Sequence, residues 1–190
     1  MTRLSMAIDL DSCIGCHSCT VVCKQENNVG LGMFYSQVYT VGPTGTYPDL
    51  EMYYLPVACQ HCDNPECVNV CPTGASYVRE DGIVLVDHEN CIGCLSCISA
   101  CPYGVRAYDE TKDNGVIEKC TLCVDRIDEG KDPACVAHCP GQARIFGDLD
   151  DPESKISQLI ARKTNYKLTD VGNAPYVTYG LDTCTWQEEF

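Results

Sequence analysis

An α+β fold of short strands, hairpins and helical turns, closed by a C-terminal helix and an extended tail, is what this sequence predicts. Three observations predict it. Seventeen of the 190 residues are cysteine, and sixteen of those fall into four sets with two to eleven residues between neighbours. Between the sets run alternating apolar and polar residues of strand length, punctuated by Gly, Asn and Asp. From Asp151 the apolar spacing changes to that of a helix.

Taken in order, residues 4–10 read as a strand, with Leu4, Met6, Ile8 and Leu10 alternating with small or polar residues. Asp11–Ser12 turns the chain into the first set, Cys13-x2-Cys16-x2-Cys19-x3-Cys23. Lys24 stands where a proline would end the set, so a helical turn over Val21–Cys23 can run on. Residues 27–50 read as a loop-rich insertion with a strand at Phe34–Val41, and Tyr35, Tyr39 and Tyr47 within it read as packing residues. Tyr53–Val57 is a second strand leading to Cys59-x2-Cys62-x4-Cys67-x3-Cys71–Pro72. A hairpin follows, Ala75–Arg79 and Ile83–Val86 about Glu80–Asp81–Gly82.

The third set is Cys91-x2-Cys94-x2-Cys97-x3-Cys101–Pro102, and a second hairpin pairs Arg106–Tyr108 with Val116–Glu118 about Asp113–Asn114–Gly115. The last set is Cys120-x2-Cys123-x11-Cys135-x3-Cys139–Pro140. In the helix beyond it Asp151 is the expected N-cap, Pro152 the first helical residue, and Ile156, Leu159 and Ile160 the apolar face. Residues 165–190 read as an extended tail lying on this protein or on a partner. As a docking strap, its deletion should weaken assembly more than metal content.

The run from Cys91 to Pro102 is the known bacterial signature of a cubane iron–sulfur cluster. Three thiols on one tight loop can cap three corners of one cluster, with Gly93 permitting the turns. The fourth, redirected by Pro102, reaches a neighbouring cluster. A disulfide framework fits poorly, because there is no secretory h-region and pairs two residues apart suit metals better. Structural zinc prefers two CxxC pairs on separate loops, whereas these thiols come in fours. The chain is therefore expected to hold four 4Fe-4S clusters. Each repeat of strand, cysteine loop and strand is too small to bury a core alone, so folding should depend on metal.

The formal charge of −14 becomes roughly −22 when four oxidised clusters with their thiolates add about −2 apiece. Such a charge disfavours nucleic acid and suits a protein partner with basic patches. No run is apolar for the ~18 residues needed to span a bilayer, so no direct membrane span is expected. Nor does the start, Met1–Thr2–Arg3–Leu4, carry a twin-arginine signal. The expectation is a protein with no signal of its own, cytoplasmic or exported with a partner. The histidines His17, His61, His88 and His138 are scattered and read as tuning groups rather than ligands. Lys24, Lys119 and Arg126 read as solvated surface, and Cys184 as a buried or idle thiol outside the sets.

The four sets and the stretches Met6–Ala7–Ile8–Asp9–Leu10, Cys71–Pro72–Thr73–Gly74–Ala75, Cys101–Pro102–Tyr103–Gly104 and Phe146–Gly147–Asp148–Leu149–Asp150–Asp151–Pro152 resemble one family. This is the four-cluster, ferredoxin-like electron-transfer subunit of molybdopterin oxidoreductases of the dimethyl-sulfoxide-reductase family. The likeness is strongest to the polysulfide, tetrathionate, arsenate and formate-dependent nitrite reductase branch, and covers residues 4 to about 160. The resemblance implies a subunit that is not catalytic alone. It would pass single electrons between a molybdenum or tungsten pterin catalytic subunit and a quinone-linked membrane anchor subunit or soluble carrier. Two other readings stay open: a polyferredoxin serving a soluble hydrogenase, carbon monoxide dehydrogenase or aldehyde oxidoreductase, and a zinc scaffold.

Because each fourth thiol points away from its own loop, the motifs should pair as two interleaved bacterial-ferredoxin-like modules. In the central module, residues 51–105, Cys59, Cys62 and Cys67 take Cys101, and Cys91, Cys94 and Cys97 take Cys71. In the outer module, 1–50 with 106–150, Cys13, Cys16 and Cys19 take Cys139, and Cys120, Cys123 and Cys135 take Cys23. Residues 151–190 form the helix and docking tail.

Overall fold

The computed structural model describes residues 2–112 and 115–187. Its centre is a four-stranded sheet in the order β8-β1-β10-β9, made of Arg144–Asp148, Leu4–Asp9, Thr178–Gly180 and Asn165–Tyr166. Strand β1 lies antiparallel to β8, with Met6 opposite Phe146, and parallel to β10, with Ala7 opposite Thr178. Its alternation fills both faces. Met6 and Ile8 enter the main core with Tyr53, Leu55, Val57, Ile83, Val177, Tyr179 and Leu181, while Ala7 packs on the other side beneath Ile156 and Leu159.

Ile156 and Leu159 belong to α6 (Lys155–Arg162), whose apolar stripe is the one expected. Its start differs from expectation. Ser154 is the N-cap, accepting from Ser157 N at 3.2 Å, while Asp151 closes a preceding turn by accepting from Glu153 N at 2.9 Å. A carboxylate that satisfies its own local turn is no longer free to cap the helix three residues on.

The insertion at 27–50 is more regular than its composition suggests. Most of it forms β2 (Ser36–Thr46), paired antiparallel with β3 (Asp49–Ala58) in a long hairpin whose register shifts between Val41 and Thr44. Gly42–Pro43, read as a loop signal, sits in that bulge. Tyr35 is buried with its hydroxyl donating to Glu118, whereas Tyr47 is 85% exposed at the hairpin end. Two short hairpins, β4 (Ser76–Val78) with β5 (Val84–Val86) and β6 (Arg106–Asp109) with β7 (Val116–Lys119), lie where the sequence predicts them. The turn proposed at Asp113–Asn114 falls outside the described residues.

Of the two placements expected for the tail, on this protein or on a partner, the structure shows the first. Instead of an external strap it supplies β9 and the interior strand β10, and it buries Leu168, Val177, Tyr179 and Leu181. Asp11 clasps it. Its carboxylate accepts from Asp182 N (3.0 Å), Thr183 N (3.1 Å), Thr183 Oγ1 (2.5 Å) and Lys163 Nζ (2.6 Å). Burial opposes the charge, but the bonds from Lys163 and Thr183 outweigh it and hold the Asp11 carboxyl at about 2 instead of 3.8. A depressed carboxyl stabilises above its unfolded pKa, so this contribution is complete above about pH 4 and is lost as pH falls through about 2. Asp11→Asn should therefore cost about 1.5–3 kcal/mol at neutral pH, the range for hydrogen bonds to a charged group, and flatten the acid limb of a pH–stability curve. Denaturant titrations at pH 7 and pH 3 check both. Equal stability of the two proteins at pH 7 would show the clasp to be idle.

Candidate metal centres

One backbone device recurs in the cysteine loops. The residue before the second thiol is left-handed in all four: Gly15 (φ 64°), His61 (44°), Gly93 (62°) and Leu122 (58°). Glycine takes this conformation freely, but at His61 and Leu122 it costs about 1 kcal/mol, so the surrounding contacts must favour the bend. At Gly15 a side chain is also excluded by space, since a Cβ would sit 2.5 Å from the Tyr54 ring. Short helices then carry the third thiol: α1 (Ser18–Glu26) holds Cys19 and also Cys23, α2 (Glu66–Asn69) Cys67, α3 (Ser96–Ser99) Cys97, and α5 (Ala134–Ala137) Cys135. Cys71, Cys101 and Cys139 lie just past the ends of α2, α3 and α5. The nine residues of α1, where no proline follows Cys23, make it the longest of these.

Tertiary packing mixes thiols from different loops. Cys59, Cys62, Cys67 and Cys101 line one cavity. Cys71, Cys91, Cys94 and Cys97 line a second. Cys23, Cys120, Cys123 and Cys135 line a third, together with Cys59. Cys13 has Cys19 and Cys139 as its thiol neighbours, and Ser18 Oγ donates to His138 O at 3.0 Å where α1 packs on α5. Cys16 and Cys94 are exposed; the other cluster-motif thiols are half-buried or buried. Cys184 stands apart in the tail, its Sγ 3.6 Å from Met52 O.

These groups suit a metal–sulfide core. Burial pushes the Cys23 thiol up to about 12, with Cys135 and Cys123 adding repulsion, and pushes Cys62 up to about 11. Converging thiolates of this kind need a cationic partner, and ferric or ferrous iron supplies one. Among the described residues no three His, Cys, Asp or Glu side chains converge closely enough for a single ion. The thiols line cavities instead, as ligands around the corners of a larger group would.

Sequence reading missed the polar residues that surround the thiols. Lys119, read as solvated surface, is 2% exposed, with Nζ donating to Val84 O and to Cys120 O (2.8 Å). Arg106 and Arg144 are buried as well. A signal for the two arginines existed: each lies five residues after the last thiol of its set, at the same place in the repeat. Lys24 and Arg126 are half-buried, Lys24 donating to Gly30 O and Met33 O and Arg126 to Glu26. His61 is buried, its Nδ1 accepting from Val84 N at 3.1 Å. Burial works against the Cys59 thiolate, yet His61 and Lys119 beside it bring that thiol down to about 5. From the tail, Asn173 Nδ2 donates to Cys62 Sγ at 3.0 Å.

The family described as 4Fe-4S dicluster domain matches residues 50–149, and a second family of the same description matches residues 12–75. Two such domains give four clusters. A subunit of the sulfite dehydrogenase of Allochromatium vinosum is 44% identical over 88% of this chain and 78% of its own length. The arsenate respiratory reductase iron-sulfur subunit of Shewanella sp. (strain ANA-3) is 38% identical, covering 93% of this chain and 95% of its own. The chain belongs to this family of iron–sulfur subunits. A subunit of the tetrathionate reductase of Salmonella typhimurium is another member, 44% identical over 95% of this chain and 73% of its own. This iron–sulfur protein is an electron-transfer subunit and is not catalytic alone.

Proposed function

We propose that this protein relays single electrons between a molybdopterin catalytic subunit and a quinone-linked membrane subunit or soluble carrier. It does so through four 4Fe-4S clusters held by crossed thiol sets. The Cys13 set comprises Cys13, Cys16, Cys19 and Cys139; the Cys120 set, Cys120, Cys123, Cys135 and Cys23. In the Cys59 set, Cys101 joins Cys59, Cys62 and Cys67. In the Cys91 set, Cys71 joins Cys91, Cys94 and Cys97. One observation carries this reading: three of these sets line one cavity each, every time with a thiol borrowed from another motif.

The order of the sets supports a linear relay. Cys19 neighbours Cys23 and Cys135, Cys120 neighbours Cys59, and Arg106 faces both Cys67 and Cys97. The row runs Cys13, Cys120, Cys59, Cys91, and its exposed thiols, Cys16 and Cys94, belong to the two end sets. Electrons would enter at one end and leave at the other. A cubane with four thiolates has no open coordination position, which suits it to one-electron transfer and not to substrate binding. The names of these three relatives, all parts of sulfur- or arsenic-oxyanion oxidoreductases, favour a catalytic partner of that class.

Cys139→Ser tests the crossing. The expected result is damage to the cluster of the Cys13 set, with loss of up to one quarter of the iron, while the Cys120 set keeps its signal. Electron paramagnetic resonance with iron analysis reads this. Damage confined to the cluster of Cys120, Cys123 and Cys135 would overturn the crossed assignment.

A further inference from the structure

A row of four sets has three junctions, and a buried cation stands at each. Between the Cys13 and Cys120 sets lies Arg144, its Nη1 3.5 Å from Cys135 Sγ and its charge facing Cys19 as well. Between the Cys120 and Cys59 sets lies Lys119, bonded to the Cys120 carbonyl and within electrostatic reach of Cys59 and Cys67. Between the Cys59 and Cys91 sets lies Arg106, its guanidinium facing both Cys67 and Cys97.

Burying a cation is costly unless it is paired, and among the described residues none of these three is paired with a carboxylate. Arg144 also holds Ser36 Oγ at 2.9 Å and Met6 Sδ at 3.3 Å, Lys119 holds two carbonyls, and Arg106 holds Ser76 Oγ at 3.1 Å. Arg106 Nη2 is buried with no hydrogen-bond partner among the described residues, a donor left over beside two thiol sets. Charge neutralisation alone does not require this placement, because surface lysines could offset the net charge without desolvation. What the placement does provide is a positive charge shared by two neighbours, where the electron on one cluster most strongly opposes an electron on the next.

We infer that Arg144, Lys119 and Arg106 are positioning residues for electron transfer, one per junction, each raising the potentials of the two clusters it separates and weakening the repulsion between them. The inference rests on the ligand assignment proposed above. Both arginines keep their charge at any working pH, so their effect does not vary with proton supply.

The test uses the full chain loaded with its clusters, and reads iron content, the individual midpoint potentials by spectroscopic redox titration, and the magnetic coupling between neighbours. Arg106→Met should shift the reduction equilibria of the Cys59 and Cys91 clusters by about tenfold against reduction, or about 59 mV for one electron, and leave the Cys13 cluster alone. Arg106→Lys should recover most of the shift. Lys119→Gln should move the Cys120 and Cys59 clusters in the same sense, and Arg144→Gln the Cys13 and Cys120 clusters. Unchanged potentials with full iron content overturn the inference, as does an equal shift of all four clusters. Loss of iron in all three neutral variants, with the charge-conserving variants intact, makes the cations structural and overturns it too. Failure of the ligand assignment looks different: Cys139→Ser would then damage the wrong cluster while these paired shifts regroup around other neighbours.

Discussion

Deleting residues 165–190 should unfold this protein and release its iron, not merely loosen its assembly. The tail contributes β10 to the sheet interior, and Leu168, Val177, Tyr179 and Leu181 are each buried to within a few per cent. Truncating one buried side chain of this size costs roughly 2–5 kcal/mol. Removing four together exceeds the roughly 5–15 kcal/mol that stabilises a typical domain. The deletion also takes away the Asp11 clasp and the Asn173 donor on Cys62 Sγ, so the loss of fold and of cluster environment should coincide. Iron analysis of the purified truncation and a thermal melt followed by circular dichroism measure both. A truncated chain that keeps about 16 iron by the four-per-cluster count and melts cooperatively would restore the tail to a docking role only.

The second large effect is expected from removing the metal. Anaerobically loaded protein should contain about 16 iron and 16 sulfide per chain and be brown. Stripping the clusters leaves thiol-lined cavities in a small protein whose Leu122 and His61 sit in costly left-handed backbone. Metal binding and folding are then one equilibrium, and the stripped chain should lose its tertiary structure outright. The single tryptophan reports it. Trp186 stacks on Tyr166 with ring centres 5.0 Å apart and lies 6.2 Å from Tyr53, so its near-ultraviolet signal should vanish on stripping and return only with iron and sulfide together. Recovery with zinc alone, in colourless protein, would revive the scaffold reading.

Several of these contacts decide what kind of statement the sequence could support. A CxxC loop is local: thiols a few residues apart share a loop whatever the rest of the chain does, and a glycine such as Gly15 or Gly93 marks the bend. The hairpins about Glu80–Gly82 and the strand at Leu4–Asp9 are local in the same way, since alternation and turn residues lie next to each other. The parallel pairing of β1 with β10 is not. Ala7 and Thr178 meet across the length of the chain, and Thr178–Gly180 has no pattern long enough to announce a strand.

Charge burial is equally invisible in a string of residues. Lys119 precedes a cysteine just as Lys24 follows one, yet Lys119 is enclosed while Lys24 is only half-buried against Phe34. Whether a lysine desolvates depends on what packs against it from elsewhere, here Val84 and the loop of Cys59, and only the assembled structure supplies those neighbours. By itself, then, the sequence determined which thiols share a loop, and with them the cluster chemistry and the family. The tertiary structure decided that thiols of different loops line shared cavities, that the tail supplies an interior strand, and that three cations are buried beside those thiols, because these depend on contacts between residues far apart in the chain.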